Sequence, residues 1–444
     1  MNPIGALILL AVILVVFGAP RRFALLGVLA GALFLTQGQS IDIGGFNIFA
    51  MRFVEMAAFA RVVSRRELAD VHINRVDRML LVLYLYTTAV FLLRSSVDFA
   101  FQIGMAVDAI LLYFSFRGLI KNFDDVHQFS RDFVFLLAPF AFLLLIESFT
   151  SQNPFAFMGG VSFGDWTREG RVRCFGSFRN PSLLGTLGAT FAPLYFGLWL
   201  NKVDRKIATV GGLICLFIVW ASNSGGPLNC LVFGVFGWMA WPMRRKMRTV
   251  RWGLVLAIIA LALVMKSPIW YLPARVSAIT GGTGWHRSYL MDMAAQHVSQ
   301  WGLAGMPIKE TGPWFPYQLT ATGGADITNQ YLSFGIAGGL LAMTFLILLV
   351  SRAFSTIGQA MLAIRQQSTA GCDQEFLVWG LGAVLTAHAG NWIGISYFDQ
   401  TIAIWLFHLA AISNLTQIEA TLIDSSGPTE SVDSLSQTPV HVTH

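Results

Sequence analysis

Long apolar blocks separated by short polar linkers run along almost the whole chain. A helix that crosses a bilayer needs about 20 mostly apolar residues, within a range of about 17–25. Thirteen blocks meet or approach this length, and they lie near residues 3–19, 23–37, 46–63, 79–94, 97–117, 132–149, 181–200, 207–222, 227–243, 251–266, 328–350, 376–396 and 399–416. The pattern therefore predicts an all-α fold, a polytopic transmembrane helical bundle of about 12–13 spans.

The composition narrows the class of protein further. Of the 444 residues, 55% are hydrophobic and 12% are charged, whereas a soluble domain carries about 25% charged residues. So little charge cannot cover a globular protein of this size, which excludes a cytosolic enzyme, a disordered protein and a nucleic-acid binder. The four cysteines show no metal-ligand spacing, so the sequence indicates neither a zinc site nor a disulfide framework.

The positive charges sort the linkers into two sets. Twenty of the thirty Lys and Arg residues fall in alternate linkers, at 21–22, 61–78, 117–131, 202–206, 244–251 and 352–365. The positive-inside rule places this set in the cytoplasm, the N-terminus in the periplasm and the C-terminus in the cytoplasm. The first apolar block has no basic residue before it, which predicts an uncleaved span rather than a signal peptide.

This topology divides the chain into four parts. Residues 1–266 are N-terminal transmembrane helices with a basic outer loop at 150–180, and 267–327 are a large periplasmic loop. Residues 328–416 are C-terminal transmembrane helices. Residues 417–444 are rich in Ser and Thr and poor in apolar residues, so we expect a disordered cytoplasmic tail.

The first outer loop carries four arginines within twelve residues: Arg168, Arg171, Arg173 and Arg179. Arg171 and Arg173 are two apart, so in an extended segment they point the same way. Arginine is suited to clamp phosphate oxygens through bidentate, charge-assisted bonds. Any single arginine of this loop is equally consistent with binding a lipid headgroup or with keeping the loop soluble. The four arginines together favour phosphate binding.

The second outer loop contains a stretch without Gly or Pro, from Trp285 to Gln300. It predicts an amphipathic helix of about four turns that lies flat on the membrane surface. His286 and Arg287 fall at its N-terminus, where backbone N–H groups also favour an anion. Taken alone, either histidine of this loop, His286 or His297, is equally consistent with an interfacial residue that has no catalytic role.

Further polar residues lie at or within the predicted spans. Asp326 and Asn329 lead into the span near 328–350. Arg52 and Glu55 are three apart on one helix, which suits either a structural ion pair or a cavity lining. Arg94, at an outer span end, reaches either the membrane interface or the outer cavity.

Three stretches resemble the Wzy-type O-antigen and exopolysaccharide polymerases and the related O-antigen ligases. They are GRVRCFGSFRNPSLLGTLGATFAPL (170–194), WASNSGGPLNCLVFG (220–234), and GWHRSYLMDMAAQHVSQWGLAGMP with DITNQYLSFGIAGGLL (284–307 and 326–341). The likeness covers about residues 150–350. Two features depart from the family: the short outer turn lacks the Arg often found there, and Thr328 stands where many members, the ligases especially, have His.

The resemblance implies a GT-C-like bundle that transfers sugars on the periplasmic face of a bacterial inner membrane. The donor is a glycan on undecaprenyl pyrophosphate, and the acceptor is the sugar hydroxyl of a lipid-linked repeat unit. No cofactor or metal is expected, because fixed arginines can stabilise the leaving pyrophosphate. Besides the lipid-linked oligosaccharide and membrane lipids, a chain-length regulator and a flippase are implied as partners, and nucleic acid is not.

The same reasoning assigns roles to particular residues. The catalytic candidates are Arg287, His286 and Asp326, with the last two as alternative bases. The candidates for binding substrate or pyrophosphate are Arg171, Arg173, Arg179, Asn329, Arg94 and Arg52.

Two alternative functions stay open at this point. One is an O-antigen ligase that moves finished glycan onto lipid A-core or protein. The other is a flippase or transporter for lipid-linked sugars, which would place its polar groups mainly within the spans.

Overall fold

The computed structural model describes residues 1–43, 46–94, 99–161, 167–168, 170–202, 204–275, 284–314, 319–320, 323–366 and 372–425. The first ten helices are α1 (Pro3–Gly18), α2 (Arg21–Phe34), α3 (Ala50–Ser64), α4 (Arg75–Arg94), α5 (Phe99–Leu119), α6 (Phe123–Thr150), α7 (Pro181–Leu200), α8 (Arg205–Ala221), α9 (Gly225–Met239) and α10 (Met247–Val264). They are followed by α11 (Gly284–Gln296), α12 (Val298–Trp301), α13 (Gln330–Gln366), α14 (Cys372–Asn391) and α15 (Gln400–Ser425).

The described residues also contain two short antiparallel hairpins and the 3₁₀ helices Pro154–Met158, Trp241–Met243, Ile269–Tyr271 and Ile308–Trp314. Strands β1 (Ser40–Ile43) and β2 (Phe46–Phe49) pair with Ser40 opposite Phe49, and β3 (Thr167–Arg168) pairs with β4 (Arg171–Val172). Every one of the thirteen apolar blocks contains a helix, so the prediction of an all-α fold is confirmed at that level.

Some boundaries differ from the sequence-based expectation. The block near 46–63 begins as strand β2, because its first residues pair with β1 before the helix starts at Ala50. The block near 328–350 continues to Gln366. Helix α15 runs on to Ser425, so residues 417–425 are helical rather than disordered; the rest of the predicted tail lies outside the described residues.

Five of the described helices, α4, α6, α7, α10 and α13, are long and apolar enough to cross a membrane. Helix α10 has a mean hydropathy of 1.8 over 18 residues, and none of that window is buried inside the protein. In water such a surface would cost about 25 cal/mol for each Å² of apolar area. These helices are consistent with a membrane protein, whereas the number of crossings and the orientation of the termini stay predictions.

Helix ends gather at two opposite ends of the bundle. At one, which we call the loop end, the two predicted outer loops meet the turn after α14, where Gln330 N donates to Trp392 O at 2.9 Å. At the other, the linker end, the basic linkers 61–78 and 352–365 lie near the C-terminal half of α15, and Asn74 Nδ2 donates to Ser413 O at 3.0 Å.

A fully buried ion pair joins three helices towards the linker end. Arg117 Nε and Nη2 donate to the two carboxylate oxygens of Asp77 at 2.9 and 3.0 Å, and both side chains have 0% exposure. Tyr113 and Ser413 also donate to Asp77, at 2.5 and 2.9 Å, and Arg117 donates to the Asn414 side chain. Such a pair is tolerated in an apolar interior because each remaining polar atom finds further partners.

Helix α13 is interrupted at Gly338–Gly339. Gly339 has a φ of +79°, which side chains rarely adopt, and a Cβ there would lie 2.4 Å from Leu303 O. The groups freed from the helix ladder bond to the preceding loop instead: Met306 N donates to Ile336 O, and Leu340 N donates to Gly302 O, both at 2.8 Å. The second outer loop is thereby fixed to α13.

Candidate functional site

The arginine-bearing loop is held to the helix bundle through its backbone. The carboxylate of Glu147, at the end of α6, accepts the backbone N–H groups of Phe175 and Gly176 at 3.0 Å each. Asn153 Nδ2 donates to Gly176 O at 2.7 Å, and Cys174 N donates to Ala221 O at 2.9 Å. These bonds fix the loop from both sides and present its arginines at the loop end.

Arg287 reaches this region from the second outer loop. It lies in the first turn of α11, and its Nε donates to Gly394 O, in the turn after α14, at 2.9 Å. The guanidinium needs the space that a glycine leaves, because a Cβ at Gly394 would lie 2.9 Å from Arg287 Nε. The first turn of α9 also approaches it, since a Cβ at Gly226 would be 3.7 Å from Arg287 Nη2.

Arg168 and Arg173 of the first loop lie in the same region as Arg287, since Asn223 Nδ2, just before α9, donates to Arg168 O at 3.4 Å and α9 begins beside Arg287. We call Arg168, Arg173 and Arg287 the arginine cluster. Burial lowers the pKa of Arg287, and the nearby charge of Arg168 lowers it further. The same two causes, in the same order, lower the pKa of Arg173. Arg168 thus lies close enough to influence both other guanidiniums. An anion placed among them relieves this repulsion, so the arrangement suits a phosphate-bearing ligand.

His286 and Asp326 form a titratable pair beside the cluster. His286 is buried, with 8% exposure. Burial lowers its pKa below the usual 6.5, Asp326 opposes this shift, and Arg287 adds to it. Burial raises the pKa of Asp326 above 3.8, and His286 opposes that shift. The pair therefore combines a neutral imidazole with a carboxyl group whose affinity for a proton is increased, next to a cation.

Asn329 has a structural task in this site. Its Oδ1 accepts the backbone N–H of Leu332 at 2.9 Å and so caps α13, and its Nδ2 donates to Ile393 O at 3.1 Å. The side chain is buried, with 7% exposure. Rather than facing a substrate, the amide fixes the start of α13 to the turn that also accepts Arg287.

Two other predicted arginines lie in the first loop with partners of their own. Arg179 is the more exposed, and its Nε is 2.8 Å from Asp399 Oδ2. The Arg171 guanidinium lies over the ring of Trp220, 4.8 Å from its centroid. Arg171 therefore does not share the environment of Arg173, although the two are only two residues apart.

Arg94 and Arg52 form contacts within the protein itself. Arg94 Nη1 donates to Ala304 O at 2.7 Å and so holds the second loop where α13 is interrupted. Arg52 pairs with Asp108 on α5, with Nη2 2.8 Å from Oδ2, and not with Glu55, three residues further along its own helix. The expected local pair is therefore wrong.

The amphipathic helix also differs from its prediction. Helix α11 ends at Gln296, and α12 follows after His297. Leu290 and Ala294 are buried in a small apolar cluster with Trp301 and Ile336, so this face packs on the protein itself. This buried face of α11 is therefore part of the apolar packing of the loop end.

A buried polar network links the outer turn to the helices below it. His388 Nδ1 lies 2.8 Å from Tyr397 Oη, and its Nε2 lies 3.1 Å from His408 Nδ1. Asn391 Nδ2 donates to Thr186 Oγ1 at 3.1 Å. These bonds run between α14, α15 and α7, as expected for polar residues inside a helical bundle.

Sequence reasoning singles out the two loops that contribute to this candidate site but misses some of the residues that build it. In the sequence Arg168 is only one charge of its loop, and neither Glu147 nor Gly394 is singled out. Glu147 could have been found as the one carboxylate near the end of an otherwise apolar span. Among the described residues, no group of three or more His, Cys, Asp or Glu side chains could hold a metal ion.

No protein-family model matches the chain, and no curated protein matches it. The function therefore has to be inferred from the chemistry of the loop end.

Proposed function

We propose that the protein is a glycan polymerase of the bacterial inner membrane. It joins lipid-linked repeat units at its periplasmic loop end, with a glycan on undecaprenyl pyrophosphate as donor. The observation that supports this proposal is the arginine cluster: Asn223, just before α9, holds Arg168 of one loop, and Arg287 of the other loop reaches the first turn of α9.

The chemistry follows from the charge that develops in the reaction. An acceptor hydroxyl attacks the anomeric carbon of the donor sugar, and the bond from that carbon to the pyrophosphate oxygen breaks. The departing lipid pyrophosphate gains negative charge, which the arginine cluster stabilises in a partly buried site. Positioned donors of this kind each contribute about 100- to 1,000-fold to a rate.

The proton of the acceptor hydroxyl needs a base nearby. Asp326 is the better candidate of the pair, because burial raises its pKa and so makes its carboxylate a stronger base. His286 interacts electrostatically with both Asp326 and Arg287. Thr328, at the position where many members of the resembling family have His, leaves the step to this pair.

Deletion of the gene in the organism that carries it tests the proposed function. We expect single repeat units on the carrier lipid or its acceptor, and loss of long glycan, in a length profile with the lipid-linked intermediates identified by mass. Polymer of normal length that accumulates on the carrier would indicate a ligase. Normal polymer on its normal acceptor would contradict the proposal.

The pH dependence of polymer formation tests the role of Asp326. A base acts only when deprotonated, so the rate should fall as the pH drops through the pKa of Asp326, which burial places above 3.8. We expect Asp326→Asn to lower the rate by about 100-fold or more and to abolish this acid limb. His286→Gln should keep this acid limb but move it to higher pH, because His286 lowers the pKa of Asp326 and its removal lets that pKa rise. An unchanged limb in Asp326→Asn would exclude this residue as the base.

A further inference from the structure

A second basic site lies at the linker end, away from the arginine cluster. A cavity of about 440 Å³ opens between the start of α4 and the second half of α13, next to Thr416 of α15. Its lining includes Arg75 and Arg78 from α4 and Arg352 from α13, and it includes no carboxylate. This volume falls in the range of small-ligand sites, about 300–1,000 Å³.

Among the side chains that the structure describes, the three guanidiniums have no counter-charge. None of them forms an ion pair with any carboxylate among the described residues. Arg78 Nη2 donates to a carbonyl, Ile73 O, at 3.5 Å. Other arginines of the same two linkers do pair: Arg61 with Glu67, and Arg365 with Glu375. The positive-inside rule accounts for arginines at this end of the bundle. It does not account for three of them lining one cavity with no carboxylate among the described lining residues.

The cavity is also built on a rigid base. Asn74 caps α4, with its Oδ1 accepting Val76 N at 2.9 Å, and its Nδ2 donates to Ser413 and Thr416. Directly beneath is the buried pair of Asp77 and Arg117. The guanidiniums are thus carried by backbone that is fixed in place, which favours a defined ligand geometry.

Polar and apolar side chains of α13 beside the cavity suit an anionic headgroup. Ser355 and Gln359 line the cavity beside Arg352, and they supply uncharged hydrogen-bond donors. Phe354 and Leu362 on the same helix are exposed apolar side chains. Basic pockets between transmembrane helices on the cytoplasmic side bind anionic headgroups.

We propose that this cavity binds a phosphate-bearing anion, either the headgroup of an anionic phospholipid or free phosphate. The site is independent of the reaction at the loop end, since Arg75, Arg78 and Arg352 lie at the other end of α4 and α13.

Binding to the full-length, delipidated protein tests this proposal. Native mass spectrometry would compare phosphatidylglycerol with phosphatidylcholine of the same acyl chains, and equilibrium dialysis would follow radiolabelled inorganic phosphate. We expect the wild type to retain phosphatidylglycerol over phosphatidylcholine, or to bind phosphate, by at least about tenfold over the Arg75→Gln/Arg78→Gln/Arg352→Gln variant. Phosphatidylglycerol that phosphate does not displace identifies the lipid, and phosphate binding without lipid preference identifies the free anion.

A matched variant removes the same charge elsewhere. Arg245→Gln/Lys246→Gln/Arg248→Gln changes three exposed basic residues of another linker, and it should bind as the wild type does. Thermal unfolding of both variants checks that they fold, and Arg352→Gln alone replaces the triple variant if that does not. Equal loss in the two triple variants, or no anion preference in the wild type, would overturn the proposal.

Discussion

Arg287→Gln should slow the conversion of lipid-linked repeat units into polymer by about 100-fold or more, because it removes a positioned cation from the leaving group. The measurement is the initial rate in membrane vesicles supplied with the lipid-linked substrate. Arg287→Lys keeps the charge but loses the planar group that can bond to both Gly394 O and the ligand. Its rate should therefore lie between those of the wild type and Arg287→Gln.

Arg275→Gln is the matched control for this experiment. Arg275 is an exposed arginine of the same outer loop, and it donates to Ser267 Oγ at 2.9 Å, outside the arginine cluster. We expect its rate to equal that of the wild type. If both variants slowed the reaction equally, the effect would come from the general charge of the loop, and the role given to Arg287 would be wrong.

Asp77→Ala should destabilise the fold by about 3–5 kcal/mol, because it leaves the buried guanidinium of Arg117 without a counter-charge. Unfolding by denaturant in detergent micelles measures the free energy. The double variant Asp77→Leu/Arg117→Met removes both charges and should recover most of the loss, since apolar residues of similar volume often replace a buried pair without cost.

Lys121→Gln is the control for the buried pair. Lys121 pairs with Asp70 at 2.9 Å at the same end of the molecule, but the Asp70 side chain is 82% exposed. Water screens such a pair, so we expect no resolvable change in stability. A loss in Lys121→Gln as large as that in Asp77→Ala, or a stable Asp77→Ala variant, would contradict this account.

The helices could be predicted from the sequence because the signal for a span is local. A block of apolar residues long enough for a bilayer identifies itself without knowledge of its neighbours. Asn180–Pro181 likewise predicts the start of α7, and Asn180 Oδ1 accepts Leu183 N at 3.0 Å. The interruption of α13 could not be located this way, because it depends on contacts with residues 302–306.

The site could be predicted only in part, because partners distant in sequence decide which charges remain available. Arg52 has an acidic neighbour one turn away, yet it pairs with Asp108, 56 positions along the chain. Arg171 and Arg173 look equivalent in the sequence, yet Arg171 lies over Trp220, which belongs to a separate helix. The position of the Arg287 guanidinium depends on Gly394, more than a hundred positions along the chain, and only the folded chain shows that.

The interruption of α13 has a mechanical consequence. A break in a helix is commonly a point of bending, but at Gly338–Gly339 the broken bonds are replaced by bonds to residues 302–306, and Arg94 adds a further tie from α4. These bonds hold the two parts of α13 in a fixed orientation at the interruption. Residues 330–337, residues 302–306 and the end of α4 should therefore move as one body rather than bend at the two glycines.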